Sequence, residues 1–179
     1  MHAMNLRIDK AKRDDARKIG VCHYNCWQET YAGLIADEYL NGMDVAQNME
    51  RFEALYSQNG AYQYVVRDGF EIVGFFDISP AREAYAPYEV RGLYLRKSCQ
   101  GYGYGRVILE FVKEKCGGQQ FYLWCLSTNA ACGYYAHMGG REIARKHILI
   151  GEQEYEVICF LFGKLSKKGD IPGIMPAEG

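Results

Sequence analysis

The chain has 179 residues, 49% hydrophobic and 24% charged, values that favour a single globular domain over a disordered chain. The formal net charge of -1 leaves no basic excess to neutralise a phosphate backbone, so we expect no nucleic-acid partner. No apolar run approaches the ~20 residues of a membrane span, so we expect a cytoplasmic protein without a membrane partner.

The seven cysteines are scattered along the chain without a C-x-x-C pair, which favours reduced thiols over a disulfide framework. Cys22 and Cys26, with His23 between them, lie on a predicted helix and resemble half of a metal site. A second pair of ligands is missing, so packing in the core is the favoured interpretation and no metal is expected.

The first half of the chain predicts a strand, two long helices and a hairpin. Alternating apolar residues indicate the strands, and apolar residues recurring at three- and four-residue spacing indicate the helices. Asp68-Gly69 is a dipeptide favoured in tight hairpin turns. The predicted elements are a strand at 5–10, helices at 16–30 and 45–56, and strands at 62–67 and 71–78.

The second half predicts a βαβ unit followed by a short helix and a hairpin. Phe121–Leu126 is a continuous apolar run, typical of a strand buried on both faces, and a helix joins it to the strand before it. Those two strands should therefore be parallel. The predicted elements are a loop at 80–87, a strand at 88–95, a helix after Arg106 that ends at Gly117-Gly118, a strand at 121–126, a helix at 130–138, and strands at 142–150 and 154–162.

A glycine-rich turn, Gln100–Gly105, connects the first of the two parallel strands to the helix that follows it. Its three glycines lack β-carbons and allow backbone N–H groups to approach a ligand closely. The first-turn amides of the following helix lack intrahelical partners, so this turn is a candidate anion site. The turn fits neither the P-loop nor the dinucleotide fingerprint. An ordinary tight strand-to-helix connection is the alternative interpretation.

Residues 100–105 do fit the pattern Q/R-x-x-G-x-G/A, and here the chain resembles the GNAT superfamily of acyl-CoA-dependent N-acyltransferases. The segment Trp27–Gly33 resembles the W-x-x-x-Y-x-G stretch of many bacterial members, where helix one bends into helix two beside the acceptor site. Residues 128–140 resemble the pattern N-x-x-A-x-x-F/L-Y-x-x-x-G-F. Thr128 stands in the register of the usual asparagine, and Gly140 replaces the aromatic residue.

The resemblance spans about residue 5 to about 163, and implies an α/β (α+β) fold. We expect a mixed, mostly antiparallel twisted sheet of about six to seven strands, with a central parallel βαβ unit and flanking helices. Residues 1–165 should form this single domain, and 166–179 a polar, mobile tail. The implied cosubstrate is acetyl-CoA, without a metal. The implied reaction is direct acetyl transfer to a primary amine of a small molecule or peptide, and a homodimer would match many relatives.

The resemblance also implies roles for individual residues. Tyr135 would be the general acid for the departing thiolate, and a backbone amide of residues 93–95 would polarise the thioester carbonyl while the strand splays at a bulge near Gly92. The cofactor-binding residues would be Leu93, Tyr94, Leu95, Gln100, Gly101, Tyr102, Gly103, Tyr104, Gly105, Arg106, Asn129 and Tyr135.

Trp27, Tyr31 and Glu89 are the expected acceptor-side residues, although an aromatic pair four apart on a helix also suits the core. Glu89 is the candidate general base, because a carboxylate in an apolar strand is costly unless it is used, paired or turned to solvent. His137 is a weaker candidate base. Cys132 has no paired histidine, so a covalent acyl-enzyme is not expected. A non-catalytic acyl-CoA sensor on the same fold is the alternative function.

Overall fold

The computed structural model describes residues 6–59 and 64–163. The predicted residues 5, 62 and 63, the end of the domain at 164–165 and the tail at 166–179 lie outside the described residues. The elements are β1 (Leu6–Lys10), α1 (Ala16–Tyr31), α2 (Asp37–Asn41), α3 (Val45–Asn59), β2 (Tyr64–Asp68), β3 (Glu71–Pro80), β4 (Tyr88–Leu95), α4 (Tyr104–Lys115), β5 (Phe121–Leu126), α5 (Ala131–His137), β6 (Arg141–Ile150) and β7 (Gln153–Phe162).

The seven strands form one sheet in the order β1-β2-β3-β4-β5-β7-β6. Every neighbouring pair is antiparallel except β4 and β5, which are parallel and joined through α4. This arrangement confirms the predicted mixed sheet and its central βαβ unit. None of the helices in the described ranges is both long enough and apolar enough to cross a membrane.

The parallel pair at the centre of the sheet opens after two residues. β4 and β5 pair only at Tyr88 with Phe121 and at Glu89 with Tyr122. Further along β4, a bulge interrupts its pairing with β3: the register shifts by one residue between positions 91 and 94, and Gly92 adopts a φ of 60°. The left-handed conformation favours glycine, so the bulge predicted at Gly92 is confirmed. The sheet therefore has a gap between β4 and β5.

The two faces of the sheet carry separate clusters of buried side chains. On one face the apolar side of α4, including Ile108 and Val112, packs in a core with Phe121. Another cluster joins α1 and α3 to β2 and β3. There the helices approach so closely that a β-carbon on Gly20 would lie 2.8 Å from Cα of Met49. These two layers hold the central strands and the ends of α1, α4 and α5 in fixed positions.

Candidate active site

The gap between β4 and β5 belongs to a cavity of about 780 Å³. This is within the usual size of small-molecule sites, about 300–1,000 Å³. Its walls come from the end of α1, β4 from Val90 onward, the turn at 100–105, the start of α4, β5 and α5. The predicted site residues that line it are Tyr31, Leu93, Tyr94, Leu95, Gln100, Gly101, Gly103, Gly105, Asn129 and Tyr135. Those that do not are Trp27, Glu89, Tyr102, Tyr104 and Arg106.

The glycine turn presents unused backbone donors at one end of the cavity. Gly101 and Gly103 have φ values of 83° and 84°, and a β-carbon on either would meet nothing within 4 Å. Within residues 6–59 and 64–163, the N–H groups of Gly101, Tyr102, Gly103 and Gly105 have no hydrogen-bond acceptor. Such amides at a helix N-terminus form a ready site for an anion, because they add their dipoles to that of the helix.

The turn is anchored at both of its sides. The Gln100 side chain donates a hydrogen bond from Nε2 to the carbonyl oxygen of Leu95, 2.9 Å away. Glu29 of α1 accepts hydrogen bonds from Nε of Arg96 and from the backbone N–H of Lys97, both at 2.8 Å. Burial raises the pKa of Glu29, but these two donors outweigh it and the net pKa is lowered. An ionised Glu29 therefore ties α1 to the chain that leads into the turn.

Tyr135 lines the cavity from α5. Its ring packs 5.9 Å from that of Phe160, and its hydroxyl has no hydrogen-bond partner among the described residues. Burial raises the pKa of Tyr135 above its ordinary value, with smaller contributions from Cys125 and Tyr31 nearby. The phenol is therefore protonated at neutral pH and available as a donor.

The aromatic residues of α1 divide between the core and the cavity. Trp27 donates a hydrogen bond from Nε1 to the hydroxyl of Tyr94, 3.1 Å away, and its ring meets that of Tyr31 edge-on at 4.7 Å. Tyr31 also lines the cavity, and burial raises its pKa to about 12, although a hydrogen bond with Tyr94 lowers it. Trp27 thus supports the wall that Tyr31 and Tyr94 form.

Glu89 lies outside the cavity, where β4 and β5 are still paired. Its carboxylate, 2% exposed, accepts hydrogen bonds from Nε of Arg82 at 2.9 Å and from the Tyr122 hydroxyl at 3.3 Å. Burial raises the pKa of Glu89, but the hydrogen bonds and charge of Arg82 outweigh it, so the net pKa is lowered. A general base needs an accessible carboxylate with a pKa near the working pH. The arrangement therefore gives Glu89 no support as the base and makes it the anchor of the 80–87 loop.

The acetyltransferase (GNAT) family model matches residues 27–139. The chain belongs to the GNAT family. A probable N-acetyltransferase of Mycobacterium tuberculosis is 25% identical over 82% of this chain and 88% of the relative. An uncharacterized N-acetyltransferase of Bacillus subtilis is 24% identical over 81% of this chain and 86% of the relative.

Solved structures show the same GNAT fold. The PaiA N-acetyltransferase of Thermoplasma acidophilum, in complex with coenzyme A, matches with a TM-score of 0.61 and 17% identity over 90% of this chain and 100% of that one. YncA of Salmonella typhimurium, determined with its cofactor acetyl-CoA, matches with a TM-score of 0.61 and 17% identity over 94% of this chain and 99% of that one.

The chain departs from the GNAT pattern at Thr128, shortly before α5 begins. Thr128, in the register of the usual asparagine, and Asn129 both line the cavity. The Asn129 side chain accepts a hydrogen bond from the N–H of Ala131 at 2.9 Å, so it pairs one of the first backbone donors of α5 from the position before the N-cap, Ala130. The amide nitrogen of Asn129 remains available as a donor.

His137, the weaker candidate base, is exposed at the C-terminal end of α5 and does not line the cavity.

The cysteines and histidine of α1 belong to the core. The sulfur atoms of Cys22 and Cys26 lie 3.9 Å apart and both side chains are buried. His23 is also buried, and its Nδ1 faces Nδ2 of Asn48 at 3.1 Å. Burial lowers the pKa of His23 to about 4, so its ring is neutral. Packing, the favoured interpretation of this segment, agrees with these contacts.

The cavity residues that the sequence did not identify as site residues include Glu29, Trp124 and Tyr134. Glu29 lies two residues after Trp27, but the residues that it contacts, Arg96 and Lys97, are far away in the sequence. Trp124 belongs to the continuous apolar run of β5, which predicts a buried strand and gives no sign of a site residue. Tyr134 precedes Tyr135 on α5 and turns toward the glycine turn: a β-carbon on Gly105 would lie 2.6 Å from the Tyr134 hydroxyl oxygen.

Proposed function

We propose that this GNAT protein transfers the acetyl group of acetyl-CoA directly to a primary amine of a small molecule or peptide. The observation that carries the proposal is the set of unpaired amides in the glycine turn, where Gly101, Gly103 and Gly105 line the same cavity as Tyr135. The cavity thus offers hydrogen-bond donors for an anion at one place and a protonated phenol at another. A single ligand with a diphosphate and a thioester would place the diphosphate at the donors and the thioester at the phenol.

The chain's own groups fit such a ligand along the length of the cavity. The turn amides would bind the diphosphate without a lysine. β5 pairs with β4 only as far as Glu89, so the edge of β4 along residues 93–95 is not used by β5 and borders the cavity. A backbone N–H of this edge would donate a hydrogen bond to the thioester carbonyl and so polarise it. Asn129, just before α5, would add a side-chain donor.

Acetyl-CoA would supply an acetyl group activated as a thioester. Transfer to a neutral amine forms a C–N bond and breaks the C–S bond: the nitrogen gives up one proton, which water in the cavity would take, and the departing thiolate needs one. Tyr135 is our candidate proton donor, because its hydroxyl is unpaired among the described residues and burial keeps it protonated. Tyr31 and Tyr94 would form the wall beside the acceptor.

Isothermal titration with acetyl-CoA, followed by a thiol-release assay on a panel of amines, tests the proposal. We expect saturable binding of acetyl-CoA and release of coenzyme A that depends on an added amine. Acetyl-CoA without an amine is the control for simple hydrolysis. Binding with no release on any amine would support the sensor function instead, and absence of binding would exclude both.

A further inference from the structure

Two adjacent tyrosines of α5 face different parts of the cavity. Successive residues of an α-helix point about 100° apart, so Tyr134 and Tyr135 cannot serve the same group. Both line the cavity, with their ring centroids 5.9 Å apart. Tyr135 packs against Phe160 and Phe162 of β7, which lie behind it in the core. Tyr134 takes the other direction, toward the start of α4.

The Tyr134 hydroxyl lies directly against the glycine turn. A β-carbon on Gly105 would be 2.6 Å from the Tyr134 oxygen and 2.9 Å from the ring carbon that carries it. These distances are shorter than any normal contact, so glycine at position 105 is what lets the phenol approach the first turn of α4. The N–H of Gly105 is one of the amides without an acceptor in the described ranges.

The hydroxyl of Tyr134 is itself without a hydrogen-bond partner in the described part of the chain, and its side chain is 37% exposed. Burial raises the pKa of Tyr134, while Arg106 nearby lowers it, and the net pKa is raised. The phenol is therefore a neutral donor. A neutral O–H and several free N–H groups lie at one end of the cavity, a combination that suits an anion, and Arg106, which is not a lining residue, acts on the same phenol through its charge.

We propose that the Tyr134 hydroxyl is a cofactor-binding group that donates a hydrogen bond to the diphosphate of coenzyme A held at the Gly101–Gly105 turn. The inference rests on the proposed function, since it places the same ligand in the same cavity. It assigns different tasks to the two tyrosines: Tyr134 binds the diphosphate and Tyr135 protonates the sulfur. Gly105 is needed because any side chain there would displace the Tyr134 ring.

The test compares Tyr134→Phe with the wild-type protein for three ligands: coenzyme A, 3′-dephospho-coenzyme A and pantetheine. Phenylalanine keeps the ring against Gly105 and removes only the hydroxyl. Titration calorimetry measures the first two ligands, and tryptophan fluorescence measures the weaker pantetheine, because Trp124 lines the cavity. Tyr56→Phe on α3, away from the cavity, is the matched control.

We expect Tyr134→Phe to bind coenzyme A and its dephospho form about tenfold more weakly, since a hydrogen bond to a charged group is lost. Pantetheine, which has no diphosphate, should bind both proteins equally. In turnover, KM for acetyl-CoA should rise by a similar factor while kcat changes little. The control should match the wild-type protein throughout.

Three results would overturn the inference while leaving the proposed function in place. They are unchanged affinity of Tyr134→Phe for coenzyme A, an equal loss for pantetheine, which would indicate damaged packing, and a loss confined to the form with a 3′-phosphate. Failure of the wild-type protein to bind coenzyme A would instead overturn the proposed function, and the inference with it.

Discussion

The ring of Phe162 fills the space that a side chain at position 140 would need. A β-carbon on Gly140 would lie 2.7 Å from Cζ of Phe162 and 2.8 Å from the carbonyl oxygen of Tyr135. The Phe162 ring also stacks on Phe121, with centroids 5.0 Å apart. The aromatic group therefore reaches this part of the core from β7. This explains why glycine can stand where the GNAT pattern has an aromatic residue after α5.

We expect Gly140→Ala to lower the free energy of unfolding by about 2 kcal/mol, because overpacking a tight site costs about 1–3 kcal/mol. The matched control is Gly133→Ala, an exposed position in α5 where a β-carbon meets nothing within 4 Å. That control should be neutral or up to about 1 kcal/mol more stable, since alanine is the better helix former. Urea unfolding followed by circular dichroism measures both, and equal stabilities would contradict the prediction.

The order of elements and the parallel pairing could be predicted from the sequence, because the spacing of apolar residues follows the period of each helix or strand. The start of α4 could not. Three glycines allow several starting points, and the helix begins at Tyr104 because Gly103 adopts the left-handed conformation before it. The prediction placed the start after Arg106. Gly101 and Gly103 take a positive φ and Gly105 does not, a choice that depends on how β4 and α4 pack and that local sequence does not specify.

Gly92→Ala should weaken binding of acetyl-CoA, because the φ of 60° at the bulge is unfavourable for alanine and β4 would relax toward regular pairing. The control is Gly69→Ala in the β2–β3 hairpin, where φ is 59° and a β-carbon meets nothing within 4 Å. Both variants should lose about 1–2 kcal/mol of stability from the backbone strain. Only Gly92→Ala should also lose affinity in calorimetry. Equal affinities for the two variants would argue against the bulge as the opening of the cavity.

The individual site residues were harder to predict than the fold, and Glu89 shows why. A carboxylate in an apolar strand signals that it has a partner or a task, but the sequence does not say which. The partner is Arg82, seven residues earlier in a loop whose course depends on packing against β5. Glu29 and Tyr134 were missed for a related reason, since their contacts at residues 96–97 and 105 are made only after the chain has folded.

Glu89→Gln should lower the free energy of unfolding at pH 7 by about 1–2 kcal/mol, because the buried carboxylate loses its charge-assisted hydrogen bonds to Arg82, whose own side chain is 63% exposed and partly screened by solvent. The folded-state pKa of Glu89 lies below the usual 4.5, so the unfolded chain binds the proton first as the pH falls. The contribution is therefore present above about pH 4.5 and disappears as the pH falls through the folded-state pKa. Unfolding in urea at pH 7 and at pH 3.5 measures the difference.

The control for Glu89→Gln is Glu53→Gln, which breaks an ion pair with Arg17 whose side chains are 49% and 47% exposed. It should cost about 1 kcal/mol or less. If Glu89 were instead the general base, the variant would keep its stability and lose most of its rate in the thiol-release assay. That pattern would restore the role expected from the sequence.

Tyr135→Phe should reduce kcat for acetyl transfer by about 10²–10⁴-fold, since a positioned general acid contributes about that much. Affinity for acetyl-CoA should stay close to the wild-type value, because phenylalanine retains the contacts with Phe160 and Phe162. In the wild-type protein, the raised pKa of Tyr135 predicts no loss of rate from its ionisation as the pH rises to 10.0, its ordinary pKa. A variant with full kcat would remove Tyr135 from the proton transfer.

His23 should make the protein less stable in mildly acidic solution. Its pKa is lowered from 6.5 to about 4 by burial and by Arg51, so below pH 6.5 the unfolded chain takes up a proton that the folded chain does not. Linkage then predicts a loss of about 2 kcal/mol between pH 7 and pH 4.5. Gln at position 23 does not titrate, so the unfolding free energy of His23→Gln should fall less over this range. The free energy of unfolding is measured in urea as a function of pH for both proteins. If it fell by the same amount in both, His23 would take up its proton equally well in the folded and the unfolded chain.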